Sequence, residues 1–353
     1  MSKIQHTPED GVSPVDTSDD VILEVRDAAV TFGMERGESK VLRDVDLDVR
    51  RKEILGVVGE SGSGKSMLAS AMLDAVVDPG QLSGDVIYHP DDGEPVNVLD
   101  TDRDELKRLR WEEISFVIQG AQSAFNPTMT IRTHFVETLR THEYDIDDGL
   151  EHARELLGDL YLDADLVMES YPQELSGGMK QRALIALGLI LDPNVLVMDE
   201  PTAALDLLMQ RSIISLLYDI KEKYDLTLVF VTHDLPLVAD IADRLAVMYA
   251  FDIAEIGPTD AIIDDTAHPY TQALLESVPD LSTESSEIHP IAGSSPDPVA
   301  IPTGCSYHPR CPLASEQCRS EDPPYYAVDT DHESACHHWD EVDDGITSAG
   351  GDS

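Results

Sequence analysis

Short apolar runs separated by polar, helix-patterned stretches recur along most of this chain. Residues 21–30 alternate enough to predict a strand, and residues 45–49 and 53–58 predict two more around a charged turn. Residues 65–77 predict a helix, 84–88 a strand and 89–94 an acidic loop. From about 102 to 171 the pattern turns helical and polar, most clearly at 151–160. Strands return at 195–198 and 226–231 with a helix at 209–223 between them, and 245–248 and 253–256 predict short closing strands. Strands alternating with helices predict an α/β fold with a mainly parallel sheet. The stretch at 102–171 predicts a separate helical subdomain.

The flanks differ in character. Residues 1–20 are polar, with Pro8, Pro14 and several acids, and predict a disordered tail. After Gly257 the periodicity fades, and residues 279–304 are rich in Pro, Ser and Gly. All four cysteines follow, at Cys305, Cys311, Cys318 and Cys336, and an acidic Gly/Ser-rich stretch at 341–353 predicts a second tail. There is no internal repeat.

Composition narrows the function classes. The longest apolar run, 183–191, falls well short of the roughly 20 residues that span a bilayer. The first ten residues carry no apolar signal region, so an intracellular chain is expected. The formal net charge is −45, from 69 acidic and 24 basic residues, and a chain this acidic repels itself unless salt screens it. That excess predicts adaptation to a salt-rich cytoplasm, as in a halophile. It argues against nucleic acid as a partner, which calls for a basic footprint.

The sharpest chemical signal is Gly59-Glu60-Ser61-Gly62-Ser63-Gly64-Lys65-Ser66, which fits G-x-x-x-x-G-K-S between an apolar strand and a helix. Glycines let the backbone wrap a phosphate chain with its N–H groups inward, and the helix N-terminus favours an anion. Lys65 is expected to reach the β- and γ-phosphates of ATP, and Ser66 to ligate Mg²⁺. The apolar strand at 195–198 ends in Asp199 and Glu200. Acids at the C-terminal end of a buried strand sit where α/β sheets bind ligands. Asp199 is expected to hold Mg²⁺ and Glu200 to act as general base toward water.

Leu175-Ser176-Gly177-Gly178-Met179-Lys180-Gln181 resembles the signature sequence of ATP-binding-cassette (ABC) proteins, some 20 residues before the Asp-Glu strand. The resemblance covers 21 to about 256. It implies a P-loop ABC fold with an antiparallel β subdomain and a helical subdomain at about 102–178. It implies that Ser176, Gly177 and Gly178 face the ATP of a partner subunit. Gln119 matches the Gln loop that senses Mg²⁺ and the transmembrane partner, although Gly120-Ala121 stands where an Asp-Pro pair is common. Ala204-Leu205-Asp206 matches the loop that crosses the dimer interface. His233 matches the switch histidine at the γ-phosphate, and Phe32 stands where an aromatic ring meets adenine.

His268-Pro269-Tyr270-Thr271 and the run from Gly304 through Cys305, His308, Arg310 and Cys311 to Pro312 resemble the C-terminal extension of peptide, dipeptide and nickel importer ATPases. An extension at 257–340 follows. The implied protein is peripheral at the cytoplasmic face of the membrane, with a second ATPase subunit, two permease subunits and, indirectly, an extracellular solute-binding protein. Its solute class is di- or oligopeptides, with oligosaccharide or nickel uptake as alternatives and a non-transport ABC ATPase as a further one. The spacing C-x5-C-x6-C-x17-C lacks the close pairs of common zinc sites. Four thiolates suit a tetrahedral metal or an iron–sulfur cluster. The resemblance favours a [4Fe–4S] cluster over zinc.

Overall fold

The computed structural model describes residues 20–120, 124–203, 205–277, 291 and 293–342. The tails expected at 1–20 and 341–353 lie outside these apart from Asp20, Glu341 and Val342, as do Ala121 and Ala204.

Among the described residues twelve strands follow in chain order: β1 (Val21–Met34), β2 (Gly37–Arg50), β3 (Ile54–Val58), β4 (Gln81–Tyr88), β5 (Val96–Asn97), β6 (Ile114–Val117), β7 (Val195–Asp199), β8 (Thr227–Val231), β9 (Arg244–Tyr249), β10 (Asp252–Pro258), β11 (Tyr326–Asp329) and β12 (His332–Ser334). They form two sheets, β2-β1-β4-β5 and β11-β12-β10-β9-β3-β8-β7-β6. In the second, β6, β7, β8, β3 and β9 run parallel, and β10, β12 and β11 join antiparallel.

Strands β3, β7, β8 and β9 are buried at every position, because each is covered on both faces. The pleat sorts their side chains. Leu55 and Val57 of β3 join the core between the two sheets with Leu68 and Met72. Ile54 and Val58 join the core on the other face, with Leu156 and Ile185 from the helices. The helices Ile131–Thr141, Ile146–Asp159 and Ala164–Glu169 share this second core with the sheet. The G-x-x-x-x-G-K-S loop leaves the C-terminal end of β3, central in the sheet.

Several helices begin on an acid. Asp102, Asp145, Asp163, Asp206 and Asp234 each accept backbone N–H bonds as N-caps. A cap is worth about 1 kcal/mol, and its negative charge also suits the helix dipole. Part of the acidic excess therefore does local structural work.

One expectation needs correction. The helix expected at 65–77 spans only Lys65–Ala71. The chain turns at Asp74, which has a left-handed φ of 49°, and the Arg110 guanidinium donates to the carbonyls of Leu73 and Asp74. The extension after 257 joins the main sheet: β12 pairs with β10, with Glu255 opposite Ser334. Buried Glu255 accepts from His332 Nε2 at 2.8 Å, Thr266 Oγ1 at 2.8 Å and the Ala267 N–H at 2.6 Å. A buried carboxylate is tolerable only with such partners. Among the described residues no helix is long and apolar enough to cross a membrane.

Candidate active site

Two glycines decide the path of the loop after β3. Gly59 has φ 148°, and a Cβ there would lie 2.2 Å from the Met248 carbonyl oxygen. Gly64 has φ 109° and sits against the Val41 carbonyl oxygen. No other residue fits either place. The loop closes over Lys65, which is only 5% exposed and whose Nζ donates to the carbonyl oxygens of Gly59 and Glu60 at 2.8 and 2.9 Å. Burial pushes the Lys65 pKa down, against the pull of Glu200, Asp199 and Glu60.

Strand β7 delivers the acids beside this loop. Ser66 Oγ donates to Asp199 Oδ1 at 2.9 Å. Burial raises the Asp199 pKa, and the Ser66 bond opposes it. Glu200 has a left-handed φ of 48°, and its N–H donates to the Val231 carbonyl on β8. Its carboxylate takes the His233 Nδ1–H at 2.7 and 2.8 Å, and the His233 side chain is 61% exposed. A carboxylate beside a buried lysine and bonded to an exposed histidine has the components to take a proton from water. Ser66 and Asp199 form a hard-oxygen donor set of the type Mg²⁺ takes.

The cleft here has a volume of about 270 Å³ and is lined by Ser61, Gly62, Gly64, Lys65, Ser66, Gln119 and Glu200, with Val41, Met67 and Phe251. Gln119, predicted from sequence, is therefore at the site. Phe32 does not line it: its ring lies against Gly80. Phe251 lines it instead, tied by its N–H to the Ser63 carbonyl at 2.9 Å. Phe251 escaped the sequence reading because it sits in the β9–β10 turn, far along the chain. Its sequence signal was faint: a bulky aromatic directly between two apolar runs.

Ser176, Gly177 and Gly178 do not line this cleft. Ser176 caps the helix Gly177–Leu189 by accepting the Met179 N–H at 3.3 Å, and it is exposed. Asp206 caps the helix Leu207–Tyr224, accepting from Leu208 and Met209 N–H groups. The Met209 side chain packs over Gly178, so the two turns are neighbours.

The four cysteines are free thiols. The Cys305 N–H donates to the Cys318 carbonyl at 2.9 Å. Burial pushes Cys305 and Cys311 up to about 11 and Cys336 up to about 12, with neighbouring thiols adding to the rise. Among the described residues no group of three His, Cys, Asp or Glu side chains is placed to hold a metal ion. The expected [4Fe–4S] cluster therefore gains no support from the arrangement of these residues.

The ABC transporter family profile matches residues 42–203, and that of the oligopeptide/dipeptide transporter C-terminal region matches 254–318. A dipeptide transport ATP-binding protein, DppD, of Caldanaerobacter subterraneus is 40% identical over 91% of this chain and 98% of its own length. The chain belongs to the oligopeptide/dipeptide branch of the ABC transporter ATPases. The oligopeptide transport ATP-binding protein OppD of Salmonella typhimurium is 36% identical over 90% of this chain and 93% of its own. Among solved structures, the dimeric ABC transporter cassette MJ0796 is 27% identical with a TM-score of 0.58, covering 67% of this chain and 99% of that one. As an ABC ATPase, the chain couples ATP hydrolysis to transport.

Proposed function

We propose that this chain energises a binding-protein-dependent importer of di- or oligopeptides from the cytoplasmic face of the membrane. Loop 59–66 with Lys65 receives the ATP phosphates. Ser66, Asp199 and Gln119 would hold Mg²⁺, whose chemistry when bound is to neutralise charge on the phosphate oxygens. Glu200 accepts the proton of the attacking water, and His233 senses the γ-phosphate. Ser176, Gly177, Gly178 and Asp206 serve the nucleotide of a partner ATPase across a dimer interface. One observation carries the reading: Ser66, bonded to Asp199, and Glu200, bonded to His233, line one cleft with Lys65. The match at 254–318 and the dipeptide and oligopeptide relatives support the peptide class over oligosaccharide or nickel. Co-purification with two permeases, then ATPase stimulation by solute-loaded binding protein, tests it. Stimulation by sugars or nickel but not by peptides would overturn the solute class.

Two finer readings rest on sequence alone. A [4Fe–4S] cluster on Cys305, Cys311, Cys318 and Cys336 requires brown anaerobic protein with about four iron per chain; metal-free or zinc-loaded protein would refute it. Salt adaptation requires a melting temperature that rises from low to molar KCl as like charges are screened.

A further inference from the structure

The nucleotide loop is gripped from an unexpected direction. Glu60, its second residue, has every polar group engaged. Its N–H donates to Tyr270 Oη at 2.8 Å, and its carbonyl accepts from Lys65 Nζ and the Ser63 N–H. Its carboxylate takes both arms of the Arg310 guanidinium, at 2.8 and 2.9 Å, and the Ser295 hydroxyl at 2.9 Å. Tyr270, Ser295 and Arg310 all belong to the extension, 210 or more residues away in sequence. Arg310 is itself immobilised. Its side chain is 6% exposed, and its guanidinium lies 5.6 and 5.8 Å from the ring centres of Tyr249 and Tyr307 and donates to Tyr249 Oη at 3.3 Å. Tyr249 and Tyr307 in turn pack tilted or edge-on against Tyr270 and His268.

We propose that Arg310 is a positioning residue of the ATP site, cancelling the Glu60 carboxylate and turning it away from the incoming phosphates. The proposal rests on the assignment of loop 59–66 as the nucleotide site. A carboxylate on the rim of a polyphosphate site opposes its ligand unless its charge is matched nearby. A two-pronged guanidinium both matches the charge and fixes its direction. Without Arg310, Glu60 would be left with Ser295 and free to swing toward Lys65, which already bonds its carbonyl. Loop 59–66 would then present an extra negative charge and a distracted lysine. The extension thus does more than join the sheet: it sets the electrostatics of the site.

A simple clasp between extension and cassette would also explain the ion pair, so the test must separate the two. The full-length chain is assayed for MgATP binding by calorimetry and for steady-state hydrolysis. Arg310→Met should raise Kd and KM for MgATP about tenfold, equivalent to about 1.4 kcal/mol, with kcat little changed. Adding Glu60→Gln to Arg310→Met should recover most of that affinity, because the uncancelled charge is gone. A clasp predicts the reverse, since the double variant still lacks the clasp. Unchanged MgATP affinity in Arg310→Met, or a double variant as weak as the single, would overturn the proposal. If Arg310→Met does not fold, Arg310→Lys is used, with a smaller loss of affinity and the same rescue expected. Wild type and Lys65→Ala run alongside: wild type that binds no MgATP, or binds it without needing Lys65, overturns the nucleotide site itself. A normal wild type and a dead Lys65→Ala beside an unaffected Arg310 variant overturn only the role of Arg310.

Discussion

Loop 59–66 and the turn at Ser176 are both glycine-rich helix starts, yet their surroundings are opposite. The first is sunk at the end of a central strand, with Lys65 and Asp199 almost wholly covered and with Glu200 and Gln119 facing the same cleft. The second opens on an exposed serine that, among the described residues, bonds its own helix. Both offer backbone N–H groups suited to an anion, but only one has the lysine and acids needed for chemistry. The difference matches the proposed division, in which one chain carries a near-complete site and offers a second face to another. The dimeric cassette among its structural relatives fits that division.

The strongest way to test the sunken half is Glu200→Gln. Hydrolysis should fall by about 10²–10⁴-fold while MgATP binding persists, because a general base is lost and a phosphate contact is not. Steady-state turnover and nucleotide binding measured together check this; undiminished turnover would reassign the base.

The exposed half is probed by mixing. Lys65→Ala and Ser176→Arg chains should each be inactive alone. Mixed dimers would contain one intact composite site, restoring about a quarter of wild-type turnover if pairing is random in a two-fold dimer. No recovery in a coupled ATPase assay would mean that the two helix starts do not serve a common nucleotide.

The smallest effect concerns the scaffold behind loop 59–66. His268 is fully buried, accepts the Tyr270 N–H at Nδ1, and is pushed down to about 4 by burial. Unfolded histidine titrates near 6.5, so the unfolded chain gains its proton first as pH falls. This contribution to stability is complete above about 6.5 and is lost progressively down to about 4, with roughly 2 kcal/mol gone by pH 5. His268→Asn keeps an acceptor for Tyr270 and removes the titration. Its melting temperature should therefore drop less than that of wild type between pH 7 and pH 5.

How far the sequence revealed this depended on distance along the chain. Buried parallel strands write themselves as unbroken apolar runs, so β3, β7 and β8 were legible. Gly59, Gly64 and Lys65 were legible because one short turn holds the chemistry. The helix after Lys65 was overextended, because the Arg110 guanidinium that donates to the carbonyls of Leu73 and Asp74 lies 36 or more residues away. The family resemblance puts Phe32 against adenine; its ring lies beside Gly80, and Phe251 reaches the cleft from a turn. The Arg310–Glu60 pair spans 250 residues. Its two members stood in different motifs, and no local pattern joins them. The strands β11 and β12 are only four and three residues long, too short for alternation to register.

The pairing of β12 on β10 has a consequence for how the molecule is made. Until residues 332–334 leave the ribosome, β10 presents an unpaired edge, and Glu255 lacks its histidine. Strand β3 must likewise wait for β9, roughly 190 residues later, before both its sides are paired. The nascent chain therefore spends most of its synthesis with its central strand and its sheet edge open, the condition in which strands recruit wrong partners. A polypeptide halted at Pro258 should accumulate in aggregates, whereas one that reaches Ser334 has the strands to close its own edge.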